Sequence, residues 1–171
     1  MRKALLAFFL LFSFNSYGAG AKIDIPKYDW SWKGFFGTYD RASAQRGLKV
    51  YREVCAGCHS MNYLAYRNLG DLGFSEDHIK AIAAEHLILD GPDDEGEMFE
   101  RDGIPSDQFA NPYPNVKAAR AANNGAYPPD LSLIVKARPK GADYVKALLL
   151  GYVDPPEDIK VPKGQHYNKY M

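Results

Sequence analysis

The stretch Val54-Cys55-Ala56-Gly57-Cys58-His59-Ser60, VCAGCHS at residues 54–60, holds the only two cysteines of the chain, three positions apart, with a histidine directly behind the second. Three chemistries use that spacing: a redox dithiol, half of a zinc site, and the covalent attachment point of a c-type haem. The rest of the sequence discriminates among them.

The compartment constrains what two thiols do. Residues 1–21 open with Met1-Arg2-Lys3, continue through the apolar run Ala4 to Phe14, and end in the small residues Ala19-Gly20-Ala21. A basic start, an eleven-residue apolar run and an A-x-A-like cleavage site make a secretory signal peptide. The run is well short of the ~20 residues that span a bilayer. The mature chain then begins near Lys22 and works outside the bacterial cytoplasm.

Residues 22–171 are 150 residues, a length at which one domain buries roughly two-thirds of its extended-chain surface. The whole chain has 21 basic and 21 acidic residues; without Arg2 and Lys3 the balance is 19 against 21, a formal charge of minus two. No basic stripe of the kind that nucleic-acid binding requires is present. Internal repeats, low-complexity tracts and a second membrane-length apolar run are absent as well.

The periodicity predicts helices joined by long loops, with little strand signal. Ala44, Leu48, Tyr51 and Cys55 share one face of a helix over 40–55 that runs into the cysteine motif. Gly47 inside it costs about 1 kcal/mol relative to alanine, which predicts close packing on another backbone. Ser75 caps a second helix with Ile79, Ile82, Ala83, His86 and Leu87 as its apolar stripe, and Asn115 caps a third through Ala122. Leu131 to Ala137 and Asp143 to Gly151 read as two more. Asp90 to Pro114 and Tyr152 to Met171 read as irregular, and loops of that length are usually functional or wrapped around something. A porphyrin would supply the centre that short helices and long loops lack.

A dithiol oxidoreductase is compatible with export, but its motif belongs near a βαβ pattern, which the sequence does not show. Structural zinc needs four ligands, and His59, His78, His86 and His166 lack the paired spacing that would complete the two cysteines. The haem reading uses every residue of the motif: Cys55 and Cys58 form thioethers to two vinyl groups, and His59 reaches the iron as an axial ligand. The opposite ligand is not assigned. Met61 lies two residues from His59, within at most ~7 Å of chain, and does not reach the other face. Met98 sits in an acidic loop and Met171 ends the sequence. His86 falls on an apolar stripe, while His78 and His166 suit solvent.

The segments RGLKVYREVCAGCHSMNYLAYRNL, DGPDDEGEMFERDGIPSD, NPYPNVKAARAANNGAYPPDLSLIVKAR and DYVKALLLGYVDPPE, in that order, resemble cytochrome c1, the haem subunit of the cytochrome bc1 complex. The resemblance implies a mainly α fold, a c-type cytochrome core of short helices around one covalently bound haem c, with long loop insertions. It implies a place at the periplasmic face of the bacterial inner membrane beside cytochrome b. There the chain takes one electron from the Rieske iron-sulfur protein and passes it to a cytochrome c, as an electron-transferring subunit rather than an enzyme by itself. Cys55 and Cys58 match the thioether cysteines and His59 the axial histidine; Asn123, Pro129, Arg138 and Tyr144 fall on positions that line the haem.

The chemistry of these four suits that role. Arg138 offers a planar charged fork to a haem propionate, and Tyr144 a hydroxyl with a ring to pack on the porphyrin. Pro128-Pro129 sets an extended, rigid segment. Asn123 and Asn124 before Gly125 also suit a left-handed helix end. Residues 90–102 carry seven acidic side chains against Arg101, either a solvated loop or a surface that steers a basic redox partner.

In the family the axial methionine follows a YN-x-Y segment by several residues. Tyr167-Asn168-Lys169-Tyr170 matches that segment, so the expectation places the methionine and the membrane anchor beyond Met171. A methionine opposite histidine would raise the haem potential. An independent soluble c-type cytochrome, or an open-site haem enzyme such as a peroxidase, are the other readings the motif allows.

Overall fold

The computed structural model describes residues 23–171; the signal-peptide reading of residues 1–21 lies outside them. The described chain is helix-rich with one small sheet. Helix α1, Arg41–Val50, starts where the Asp40 carboxylate accepts the Ser43 N–H at 3.1 Å, satisfying a donor that the first turn leaves free. It runs into a π-helical turn, Tyr51–Cys55, in which the Ala56 N–H bonds to the Tyr51 carbonyl at 2.7 Å. Gly47 packs on nothing: a Cβ there would meet no atom within 4 Å, so the close approach expected from the sequence is not made by the described residues.

The core forms around a 3₁₀ helix, Tyr66–Leu72, that the sequence did not suggest. Its Tyr66 and Leu69, one 3₁₀ turn apart, are each 1% exposed. They pack with Tyr51, Phe109 and the inner face of helix α2, Glu76–Ala84, whose Ile79, Ile82 and Ala83 are buried. Phe109 stacks on Tyr66 with centroids 4.6 Å apart and meets Tyr51 edge-on at 6.0 Å. Ser75 caps α2 as expected. Met61, ruled out as a ligand by reach, is half-buried against this core.

Two expectations fail between residues 84 and 102. Helix α2 ends at Ala84 and its buried stripe at Ala83; His86 lies outside the helix with its ring facing Tyr66 at 6.0 Å, and Leu87 is exposed. The stretch after Asp90 is not wholly irregular either. Strands β1, Leu87–Asp90, and β2, Phe99–Asp102, pair antiparallel with Leu87 opposite Asp102 and Asp90 opposite Phe99. Arg101 ties this hairpin down by bonding Asp90 and, through both terminal nitrogens, Asp107. Hydrogen bonds from Arg101 hold both carboxyls below the usual range. Gly103 then passes so close to α2 that a Cβ would sit 2.5 Å from the Ala83 carbonyl oxygen.

Helix α3, Val116–Ala122, is capped by Asn115, whose Oδ1 accepts the Ala118 N–H at 3.0 Å. Past it, Asn124 has φ 51 and Gly125 φ 88, the left-handed exit expected of Asn-Asn-Gly. Helices α4, Ile134–Ala137, and α5, Ala142–Leu150, follow. The N-terminal strap docks on α5: Asp143 accepts the Trp30 indole N–H at 2.6 Å and the Tyr28 N–H at 3.2 Å, and Lys33 pairs with it at 3.3 Å. At the other end of α5, buried Asn168 donates to the Leu148 carbonyl at 2.7 Å. Among the described residues no helix is long and apolar enough to cross a membrane.

Because Leu69 is enclosed on all sides, Leu69→Ala leaves a cavity and lowers the stability of the chain by about 2–5 kcal/mol. Chemical denaturation followed by circular dichroism reads this directly; an unchanged midpoint would mean that the 3₁₀ segment does not close the core.

Candidate functional site

The π-helical turn delivers Cys55 half-buried at the end of the α1 trajectory, and the chain reverses there. The Cys58 N–H bonds to the Cys55 carbonyl at 3.0 Å and the His59 N–H to the same oxygen at 2.8 Å. The two thiols are free and one turn apart, Cys55 half-buried and Cys58 exposed. Tyr51, one turn earlier, donates its hydroxyl to the His59 carbonyl at 3.1 Å. Burial, then the negative charge of Asp130, pushes that hydroxyl up to about 12, so it remains a donor at any physiological pH.

The His59 ring is held from the far side of the sequence. Its Nδ1 lies 2.8 Å from the Pro129 carbonyl oxygen, which has no proton to give, so Nδ1 carries the hydrogen and donates. Nε2 is thereby the free lone pair, the atom that binds a metal. Pro129 thus enters the site through its carbonyl and not, as its ring suggested, only as a stiff spacer.

The next residue, which sequence reasoning missed, secures this contact. Asp130 accepts from Ser60 Oγ, the Asn62 N–H and the Ser132 N–H, each at 2.8 Å. Around it the Leu131 N–H bonds to the Ser60 carbonyl at 2.9 Å and the Tyr63 N–H to Ser132 Oγ at 3.0 Å. Burial pushes the Asp130 carboxyl up, but the hydrogen bonds from Ser132, Asn62 and Ser60 outweigh it and hold it below the usual range. The only local signal was the Asp-x-Ser turn; its distant partners had none. These bonds turn Leu131 to Leu133 away from helix, so α4 begins later than the sequence suggests.

Asn123 reaches the motif through an intermediary. Its Nδ2 donates to the Ala119 carbonyl at 2.7 Å and to the Tyr113 hydroxyl at 3.1 Å, and that hydroxyl in turn points at Cys58 Sγ at 3.9 Å. Cys58, Tyr113, Asn115, Ala119 and Tyr127 line a small cleft of about 140 Å³. A second cleft, about 500 Å³, is lined by Tyr51, Tyr66, His86 and Phe109 and touches the Cys55–His59 loop only at Ala56.

Among the described residues, Arg138 and Tyr144 are not joined to this cluster by a hydrogen bond. Arg138 ends α4 with its side chain exposed, and Tyr144 is half-buried in the first turn of α5. No hydrogen bond ties either side chain to the Cys55–His59 loop among the described residues.

The donor set fits a c-type haem: two free thiols one turn apart, followed by an imidazole whose Nδ1 is engaged and whose Nε2 is free. It does not fit structural zinc, since among the described residues no group of three or more His, Cys, Asp or Glu side chains is placed to hold a metal ion. A thioredoxin-like dithiol lacks its scaffold as well, because the described sheet is one antiparallel pair of strands.

The sequence comparisons agree with that geometry. A family model described as the cytochrome C1 family matches residues 30–171. The chain is 53% identical over 149 residues to a protein of Solanum tuberosum named cytochrome c1-2, heme protein, mitochondrial, covering 87% of this chain and 57% of that one. It is 57% identical over 130 residues to cytochrome c1 of Rhodospirillum rubrum, covering 76% and 48%. To the cytochrome b-c1 complex catalytic subunit, mitochondrial, of Candida albicans it is 52% identical over 147 residues, covering 85% and 51%. The chain belongs to the cytochrome c1 family. It spans about half the length of the curated relatives it matches.

Asp130 gives the site a pH signature. Its folded pKa lies below the ordinary value, so the stability it adds is complete above about pH 3.9 and is lost as pH falls through the lower folded value. Asp130→Asn therefore lowers stability by roughly 1–3 kcal/mol at neutral pH, and the gap to the parent narrows on acidification below that point. Denaturant titrations across pH read this; a gap that stays constant down to the most acidic samples would assign the effect to shape and not to charge.

Proposed function

We propose that this chain is the haem-carrying part of a cytochrome bc1 complex subunit and works in one-electron transfer. Membership of the cytochrome c1 family supports this, and the placement of His59 carries it: the Pro129 carbonyl fixes the imidazole tautomer with Nε2 free beside two free thiols. Cys55 and Cys58 are the residues that would hold the porphyrin through thioethers, and His59 Nε2 the one that would bind the iron. When bound, haem c supplies a one-electron couple between ferric and ferrous iron.

The protein's part is to hold and to tune. Tyr51 and the backbone bonds of the 55–59 turn keep the His59 main chain in place, so the ring would keep one orientation toward a bound metal. Asn123, through Tyr113, keeps the Cys58 side in position. Arg138 would offer permanent positive charge to a propionate, and Tyr144 a hydroxyl and a ring to the porphyrin, as the family resemblance implies. The electron comes from the Rieske iron-sulfur protein and goes to a cytochrome c, with cytochrome b as neighbour in the complex. The site of action is the periplasmic face of the bacterial inner membrane, reached by way of the signal peptide at residues 1–21. The acidic loop at residues 90–102 provides the field that attracts a basic acceptor, with weak, salt-sensitive binding that permits fast release.

Expression with export and c-type haem maturation tests the reading. The parent chain is expected to retain its haem through denaturing electrophoresis, with the pyridine haemochrome spectrum of a porphyrin whose two vinyl groups are saturated. Replacing both cysteines, Cys55→Ser with Cys58→Ser, abolishes covalent retention, and either single change gives the spectrum of one remaining thioether. Haem that washes out of the denatured parent chain would remove the assignment.

A further inference from the structure

We propose that Asp130 is a positioning residue for the axial histidine: its carboxylate holds the Pro129 carbonyl on His59 Nδ1–H and so sets how strongly Nε2 donates to the iron. The inference rests on the haem reading above and assigns a role to a residue outside the thioether and axial set.

The reasoning starts from what Pro129 lacks. Pro128 and Pro129 have no N–H, so this dipeptide has no backbone donor with which to fix itself in place. Pro129 is exposed and lies outside any helix or strand. Its carbonyl nevertheless meets an imidazole 70 residues earlier in the chain at 2.8 Å. The fixing groups sit immediately after it: Asp130 Oδ2 accepts from Ser60 Oγ and the Asn62 N–H, while Oδ1 accepts from the Ser132 N–H.

Ser60 follows His59 as Asp130 follows Pro129, so one carboxylate staples the two segments at the residues adjoining the histidine–carbonyl pair. Four other carboxylates among the described residues also gather several donors: Asp90 and Asp93 in the hairpin, Asp107 beside Arg101, and Asp143 under the strap. Asp130 alone among these adjoins a partner of the histidine.

A firm Nδ1–H···O=C bond leaves more electron density on the ring, strengthens Nε2 as a donor and favours ferric iron; a loose one favours ferrous. Removing the staple is therefore expected to raise the reduction potential. The test uses the holoprotein, with Asp130→Ala and Asp130→Asn compared against Leu69→Ala, a destabilising change that removes no charge and no side-chain hydrogen bond. Two readouts are taken: the reduction potential, and solvent exchange of the His59 Nδ1–H by NMR of ¹⁵N-histidine-labelled ferrous protein.

In both Asp130 variants the ferric–ferrous equilibrium is expected to move about tenfold toward ferrous, ~59 mV for one electron, with faster Nδ1–H exchange. Leu69→Ala is expected to move neither. A shifted potential with unchanged exchange would mean that the carboxylate acts by charge alone and would overturn the proposal. Lost stability with neither readout moved would overturn it too, as a purely structural role.

If the Asp130 variants fail to mature, Ser60→Ala removes one bond of the staple and no charge, and must move both readouts in the same direction by less; no movement there also rejects the proposal. Should the parent chain carry no haem, the parent reading fails separately, and the exchange comparison on the haem-free chain still decides whether Asp130 holds the pair.

Discussion

The hydrogen bond from His59 Nδ1–H to the Pro129 carbonyl is the constraint on which the rest depends. It joins the first half of the described chain to the second with neither partner in a regular element, and it selects which imidazole nitrogen is free. The surrounding structure reads as provision for that one contact. The π-helical turn and the bonds to the Cys55 carbonyl place the histidine backbone, Tyr51 holds the histidine carbonyl, and the Asp130 staple places the proline.

This chain orders its irregular segments in a consistent way. Long loops present backbone N–H groups that no helix or ladder satisfies, and here carboxylates collect them. Asp93 accepts from the Glu95 and Glu97 N–H groups in the hairpin turn, Asp107 from Ile104, and Asp130 from Asn62 and Ser132. An ionised acceptor makes shorter and stronger bonds than a neutral one, so each aspartate stiffens a stretch that propensity alone leaves loose. The acidity of the 90–102 segment is partly of this kind: Asp90 and Asp93 are engaged internally, and the remaining acids of the loop give it its outward charge.

The sequence made the local features legible and hid the distant ones. Ser75 and Asn115 each cap the helix expected of them because a cap and its donor lie three residues apart. The cysteine–histidine motif was readable for the same reason. The hairpin was not: Leu87-Ile88-Leu89 is a short apolar run without alternation, and its partner strand follows an eight-residue connection. The 3₁₀ helix has two core residues three apart, too few to register as periodicity. Gly47 was read as a point of close contact, yet it faces open space. Pro129 was singled out for its ring although its carbonyl makes the contact, and Asp130 was passed over because its partners lie about 70 positions away.

The N-terminal strap bears on the order in which the molecule assembles. The bond between the Trp30 indole and Asp143 spans 113 residues, and Lys146 completes the seat by lying 4.2 Å above the Tyr28 ring. Closing so long a loop costs chain entropy that only a formed α5 repays. The residues nearest the start of the described chain therefore dock late in folding, after the last helix exists. The strap's stacked tryptophans, Trp30 and Trp32 with centroids 4.5 Å apart, become an intrinsic optical marker of the final closure.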